Sequence, residues 1–338
     1  MPRSDRAALA LTPALAIVMV TLAFASLLIG RSTIPPADVI HALTAPLRAG
    51  SSSVAPSTEA VVIAVRMPRI LAAILVGGAL AVGGSAYQTL FRNPLVSPSL
   101  LGVSAGSALG ATLGLLLAWP RLVVLASSFA GGLFAVSCTL LVTSSLRTTS
   151  LSMLVLAGIV TSTFFEALVS FVKYAADPID TLPAITFWLL GGLGKVGNRD
   201  VAFAVVPIAI ALVTLWTVRW PLTVMGMGDD EARALGVPAT RVRIIVIVAT
   251  TLLTAPAVGL AGIIGWIGLL VPHAGRMLVG ARFQALLPVT FLMGGILLLA
   301  VDDLVRCMPV EVPLGAAMAL VGAPGFVALL IRHRSTWL

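Results

Sequence analysis

Long uncharged stretches dominate the pattern of hydrophobic and polar positions. Nine of them contain 18 or more residues without a charged side chain, and they cover residues 7–30, 70–91, 93–120, 122–146, 148–165, 201–218, 244–275, 283–301 and 312–331. A helix needs about 20 predominantly apolar residues to cross the hydrocarbon core of a bilayer. Each stretch therefore predicts a membrane-spanning helix.

The stretch 244–275 is too long for one crossing. As a straight helix it would measure about 48 Å, whereas the hydrocarbon core is about 30 Å thick. Gly262, Gly265 and Pro272 are residues at which such a helix can break. The stretch therefore predicts two helices, the second short and irregular, and raises the expected number to ten.

The pattern predicts an all-α membrane protein with a single transmembrane domain over residues 1–338. Ten crossings place both termini on one side, and positively charged residues near both ends favour the cytoplasm; they are Arg3, Arg6, Arg332 and Arg334. Between the first two spans, Ile34–Leu43 reads as a short surface helix opened by two prolines.

Composition excludes several function classes. Hydrophobic residues make up 59% and charged residues 10% of the chain, which is far from the usage of a soluble domain. The net charge of +8 is dispersed over short loops, so no nucleic-acid surface is expected. Cys138, Cys307 and the three histidines form no cluster with metal-ligand or catalytic spacing, so neither a metal site nor an enzyme is expected.

The segment 225–238, with the sequence MGMGDDEARALGVP, predicts a short helix between two spans. Asp229, Asp230 and Glu231 are residue types that stabilise a helix start, and Gly236 followed by Pro238 is typical of a helix end. The helix is either a docking element for a soluble partner or an ordinary capped connection.

Five segments resemble the iron-chelate and cobalamin permease family of ATP-driven (ABC) importers. They are RMPRILAAILVGGALAVGGSAYQTLFRNPLVSPSLLGVSAGSALG at 66–110, LGGLG at 190–194, MGDDEARALGV at 227–237, GLAGIIGWIGLLVPHAGRMLVG at 259–280 and EVPLGAAMALVGAPGFVALL at 311–330. The resemblance implies a multi-pass subunit of the bacterial inner membrane that forms a homodimer, with two ATPase subunits and a periplasmic binding protein as partners. It also implies membrane lipid around the subunit.

The resemblance assigns coupling to the ATPase to part of segment 225–238, namely Gly228, Asp229, Asp230, Glu231, Arg233, Leu235 and Gly236. The chain itself lacks a G-x-x-x-x-G-K-[ST] phosphate-binding loop, so ATP is expected on the partner subunit. The implied cytoplasmic gate consists of Asn93, Pro94 and Leu95 together with Thr148, Thr149, Ser150, Leu151 and Ser152.

Arg66, Arg69 and Arg306 match family positions that dock acidic residues of the binding protein. Arg66 and Arg69 are three residues apart, so a helix can point them the same way. The alternative for these arginines is anchoring in lipid head groups.

Glu166 is the one acid well inside a predicted span, and it either lines the pathway or lies near the outer end close to Lys173. Phe187 and Trp188 are candidates for the outer vestibule wall, with interfacial anchoring as the alternative. An ion-coupled secondary transporter is the rival function, although it usually needs more ionisable groups at the midplane. Haem is the favoured cargo because FWLLGGLG resembles haem permeases, and no stably bound cofactor is expected; a ferric siderophore and cobalamin are the alternatives.

Overall fold

The computed structural model describes residues 3–30, 34–45, 55–146, 150–310 and 312–332. Over these ranges the regular structure is entirely helical, which confirms the all-α prediction. The helices are α1 (Arg3–Leu28), α2 (Pro36–Thr44), α3 (Pro56–Ala60), α4 (Met67–Leu90), α5 (Val103–Leu116), α6 (Arg121–Ser145), α7 (Leu151–Ala175), α8 (Thr181–Leu190), α9 (Asn198–Thr217), α10 (Arg219–Met225), α11 (Asp229–Ala234), α12 (Ala239–Ala261), α13 (Ile267–Val279), α14 (Phe283–Arg306) and α15 (Leu314–Arg332).

Seven helical segments are long and apolar enough to cross a membrane. They are α1, the continuous segment Pro56–Leu90, α6, α7, α9, α12 and α14. The shorter apolar helices α5, α13 and α15 occupy the remaining three predicted spans. In the described residues the ten predicted spans are therefore all helical, and α2 lies where the surface helix was expected.

The predicted break in stretch 244–275 is present. Helix α12 ends at Ala261 and α13 begins at Ile267. Gly262 and Trp266 both have positive φ angles, of 71° and 70°, and this conformation interrupts a right-handed helix. The thirteen-residue α13 is the short eighth span.

Several boundaries differ from the sequence prediction. The second span begins at Pro56 rather than near residue 70, and a π-helical turn, Val61–Arg66, joins α3 to α4. The fifth span continues to Ala175, well beyond the uncharged run that ends at residue 165. A charged residue ends an uncharged run in the sequence, but it does not end a helix whose backbone hydrogen bonds continue.

Helix α4 lies at the centre of the fold and packs closely against α13 and α14. A Cβ atom placed on Gly84 would lie 2.0 Å from the carbonyl oxygen of Gly268, and one on Gly77 would lie 2.2 Å from that of Gly294. Small residues at such crossings let helix backbones touch, which is how helices associate where water supplies no hydrophobic driving force. The central helix is thus fixed by direct backbone contact.

Candidate transport pathway and partner surfaces

Helix α7 presents an exposed face that carries polar groups among large apolar side chains. Phe164 is 61% exposed and Phe171 is 71% exposed. Thr163, Glu166 and Ser170 are exposed on the same helix, and their spacing of three and four residues places them on one side. The Ser170 hydroxyl donates to the Glu166 backbone carbonyl at 3.0 Å. The Glu166 side chain therefore lies on an open, mixed surface.

The first helix gives a useful contrast. Only 6% of its apolar window is buried, and side chains such as Ile17 and Val20 are 67% and 66% exposed. Residues 7–28 of this helix include no charged side chain, as expected of a surface that faces lipid. The carboxylate of Glu166 distinguishes the face of α7 from that surface.

Helix α8 and the glycines that follow it pack against the break between α12 and α13. The Gly192 amide donates to the Ala261 carbonyl at 2.8 Å, and the Leu314 amide donates to the Gly191 carbonyl at 2.9 Å. These bonds satisfy non-helical backbone where water is scarce. Phe187 is 67% exposed, whereas Trp188 is half-buried. Their vestibule role stays a prediction.

Helix α11 has the ends that the sequence predicted. Gly228 precedes the helix with φ 154°, and Gly236 follows it with φ 76°, a conformation that favours glycine. The Val237 amide donates to the Ala232 carbonyl at 2.8 Å, which closes the C-terminal turn. Asp229 pairs with Arg243 at 2.7 Å.

The exposed side of α11 is available to a partner. Ala232 is completely buried and anchors the helix. Asp230, Glu231, Arg233 and Leu235 are exposed, and the Asp230–Arg233 ion pair is open to solvent. A rigid helix with charged and apolar groups on its outer side can dock in a cleft of another protein, although its coupling role stays a prediction.

Part of the predicted gate is a tight turn after α4. The Asn93 side-chain oxygen accepts the Leu95 amide at 2.9 Å, and the Leu95 side chain is 56% exposed. Arg92, directly before the turn, has a positive φ of 51°, which is uncommon for a residue with a Cβ atom. The gate role stays a prediction.

The second part of the predicted gate leads into α7. Ser150 precedes that helix, Leu151 begins it, and the Ser152 side chain is exposed. Thr148 and Thr149 lie outside the described residues.

The three arginines predicted to dock a binding protein hold internal contacts. Arg66 is 4% exposed and donates to the Leu27 carbonyl at 2.5 Å. Arg69 donates two hydrogen bonds to the Asp302 carboxylate, at 2.9 and 3.0 Å. This bidentate pair joins α4 to α14.

Arg306 is part of the same cluster at this end of the helices. It pairs with Asp303 and donates to the Ser26 carbonyl at 2.9 Å, and the Ser26 hydroxyl donates to Asp303 at 2.6 Å. The uncharged run that predicts this span ends at residue 301, but α14 continues through Asp302 and Asp303, and both lie buried in its last turns. The docking role of the arginines stays a prediction.

A cavity of about 940 Å³ opens beside α11 and the gate turn. Arg92, Arg276 and Arg282 line it together with Gln88, Asn93 and His273. The Arg276 guanidinium donates to the Gln88 side-chain oxygen, and the Gln88 amide donates to the Gly268 carbonyl at 3.1 Å. Sequence reasoning missed this cavity, because its residues come from four separate segments, at 88–94, 223–227, 273–277 and 281–282.

A bundle of ten helical spans with a short eighth span and a capped connecting helix is the arrangement expected of the importer permeases that the five sequence segments resemble. The comparisons agree: residues 17–332 match the FecCD transport family. The chain therefore belongs to the FecCD transport family.

The relatives that the chain resembles carry different cargo names. The molybdate import permease MolB of Haemophilus influenzae is 37% identical over 94% of both chains. The hemin permease HmuU of Yersinia pestis is 36% identical over 80% of this chain and 83% of that protein.

A solved structure of a metal-chelate type ABC transporter in an inward-facing conformation has a TM-score of 0.85 and 35% identity. The match covers 95% of this chain and 98% of that one. The fold is therefore that of an ABC importer permease.

Proposed function

We propose that two copies of this chain form the translocation pathway and that the exposed face of α7 lines it. Glu166 carries this proposal. A carboxylate at the centre of a lipid-facing helix costs about 2.5–3.5 kcal/mol on insertion scales. A second copy across a water-filled path removes that cost, because the carboxylate then remains hydrated.

We further propose that α11 couples the permease to an ATPase subunit, and that α11 and both termini lie on the cytoplasmic side of the membrane. The buried Ala232 and the Asp229–Arg243 pair hold α11 as a firm element. Members of the family work with ATPase subunits and a binding protein, so an element that transmits the movement of the ATPase is needed.

The proposed cargo is a metal-containing anion delivered by a periplasmic binding protein, with haem as the first candidate. The resemblance of FWLLGGLG to haem permeases and the likeness to the hemin permease support haem. Molybdate is the second candidate, supported by the relative that matches over 94% of both chains and by the arginine-lined cavity.

Uptake into liposomes tests this proposal. The permease, its ATPase and its binding protein are reconstituted, and haem, molybdate, a ferric siderophore and cobalamin are compared with and without internal ATP. ATP-dependent uptake of haem alone supports the first candidate, and of molybdate alone the second. Uptake driven by an ion gradient without ATP would overturn the importer mechanism in favour of a secondary transporter.

A further inference from the structure

We infer that the cavity beside the gate turn is a binding site for an oxyanion group, of the phosphate or molybdate class. Three arginines from separate segments converge on it. Arg92 follows α4, Arg276 lies in α13 and Arg282 directly precedes α14. No carboxylate is among the described residues that line the cavity. Guanidinium groups bind oxyanions through paired hydrogen bonds, so this lining has the chemistry of an anion site.

Arg276 is held in place by a buried amide. Gln88 is 3% exposed, and it accepts from Arg276 while donating to the Gly268 carbonyl. Gln88 thus uses both ends of its side chain to orient one guanidinium. Fixing a cation at a cavity wall lowers the entropy lost when an anion binds.

Arg92 occupies a backbone position that suits glycine better. Its φ is 51°, and the Asn93 amide closes the turn on the Gln88 carbonyl at 3.2 Å, as in helix ends that usually carry glycine. An arginine is strained in this backbone conformation. We therefore attribute the presence of Arg92 to what its side chain does. The guanidinium extends towards α11, where its Nη1 lies 3.5 Å from the Cβ position of Gly228.

Glu231 is the acidic residue that approaches this site from α11. Its carboxylate lies next to the same Cβ position of Gly228, although it does not line the cavity. The Glu231 carboxylate therefore competes with a bound anion for electrostatic attraction to the Arg92 guanidinium. Removing its charge is expected to strengthen anion binding, a gain that misfolding cannot produce.

Binding to the full chain in nanodiscs tests the site. The chain is placed in phosphatidylcholine and titrated calorimetrically with sodium molybdate and with sodium phosphate at constant ionic strength. Saturable binding of either is expected. Arg276→Gln and Arg92→Gly should each weaken it about ten-fold or more, the loss of one charge-assisted hydrogen bond. Arg92→Gly relaxes the backbone, so its thermal stability should not fall.

Two further variants complete the titration. Glu231→Gln should tighten binding, and Arg241→Gln, an exposed arginine outside the cavity lining, is the control that should leave it unchanged.

A second arm distinguishes a soluble anion from a lipid head group. If neither salt binds, native mass spectrometry in phosphatidylglycerol nanodiscs should show a retained lipid that Arg276→Gln releases and Arg241→Gln keeps. Absence of both soluble anion and lipid overturns the site, as does binding that Arg276→Gln and Arg92→Gly leave intact. Loss of ATPase association with unchanged anion binding would instead assign the arginines to an acidic partner surface. The proposed anion site does not depend on the identity of the cargo. Anion binding tests the site, whereas ATP-driven uptake tests the proposed function.

Discussion

The Arg69–Asp302 pair shows how charged side chains are stabilised inside this helix bundle. Side chains of Arg69 and Asp302 are 12% and 2% exposed, and two hydrogen bonds join them. Removing one member of a buried pair leaves the other charge uncompensated and costs about 3–5 kcal/mol. Asp302→Asn should therefore lower the thermal unfolding midpoint in detergent markedly, whereas the exposed Asp230→Asn change should leave it nearly unchanged.

The same pair separates a docking role from a structural one. Replacing both partners, Arg69→Met with Asp302→Leu, removes the charges together and is expected to restore most of the stability. If Arg69 docks the binding protein, this stable double variant should still capture it less well. Capture equal to that of the wild type would contradict the docking prediction for Arg69.

These pairs also mark what one sequence does not reveal. Arg69 and Asp302 are 233 positions apart, and nothing local to either residue indicates the other. An acid at the end of an apolar run looks like the start of a loop, which is why the predicted span stops before Asp302 although α14 continues to Arg306. By contrast, the ends of α11 were predictable, because acids such as Asp229 favour a helix start and Gly236 favours a helix end within a few residues of the chain.

At the scale of elements, the crossing of α4 and α13 depends on glycine. A Cβ at Gly84 would lie 2.0 Å from the Gly268 carbonyl oxygen, whereas one at Gly192 would meet nothing within 4 Å. Gly84→Ala should therefore push the two helices apart and reduce the yield of folded protein, measured by size-exclusion chromatography. Gly192→Ala is the matched control, and equal yields would contradict the close packing.

Helix α11 carries the prediction about coupling. Arg233 and Leu235 are exposed, so changing them should not disturb the bundle. The double variant Arg233→Glu/Leu235→Asp should retain far less ATPase during affinity purification, because it alters the charge and the apolar contact that face a partner. Arg241→Glu, a charge reversal just after α11, is the control. Undiminished retention by the double variant would remove α11 from the coupling interface.

Elements differ in how far hydropathy predicts them. The ten spans could be read from uncharged runs, and the break after Ala261 followed from glycine and length. The start of the second span at Pro56 could not, since Glu59 and Arg66 interrupt the run. Arg66 is tolerated there because its charge reaches the Leu27 carbonyl inside the bundle, a contact that hydropathy does not contain.

The whole molecule raises the question of what covers the face of α7. A symmetric pair would place the same surface of both copies together, and Glu166 would then face a hydrated path instead of lipid. Cysteines introduced at Val160 or Phe171, in a background with Cys138→Ser and Cys307→Ser, should cross-link two copies through a bismaleimide in native membranes. Ile17→Cys on α1 is the matched control, since its side chain is as exposed but belongs to an apolar surface.

The reaction of introduced cysteines with maleimides decides whether the exposed face of α7 lies against water or against lipid. Cysteines that face the partner copy across water should react with a membrane-impermeant maleimide that is given access to the cytoplasmic side of the membrane. Bound cargo should slow this reaction. Labelling only by a lipid-soluble maleimide, together with no cross-link at Val160 or Phe171, would place α7 against lipid. Glu166 would then need a local partner, and Glu166→Gln would stabilise the protein rather than alter transport. Labelling and cross-linking together therefore test both the position of the pathway and the dimer.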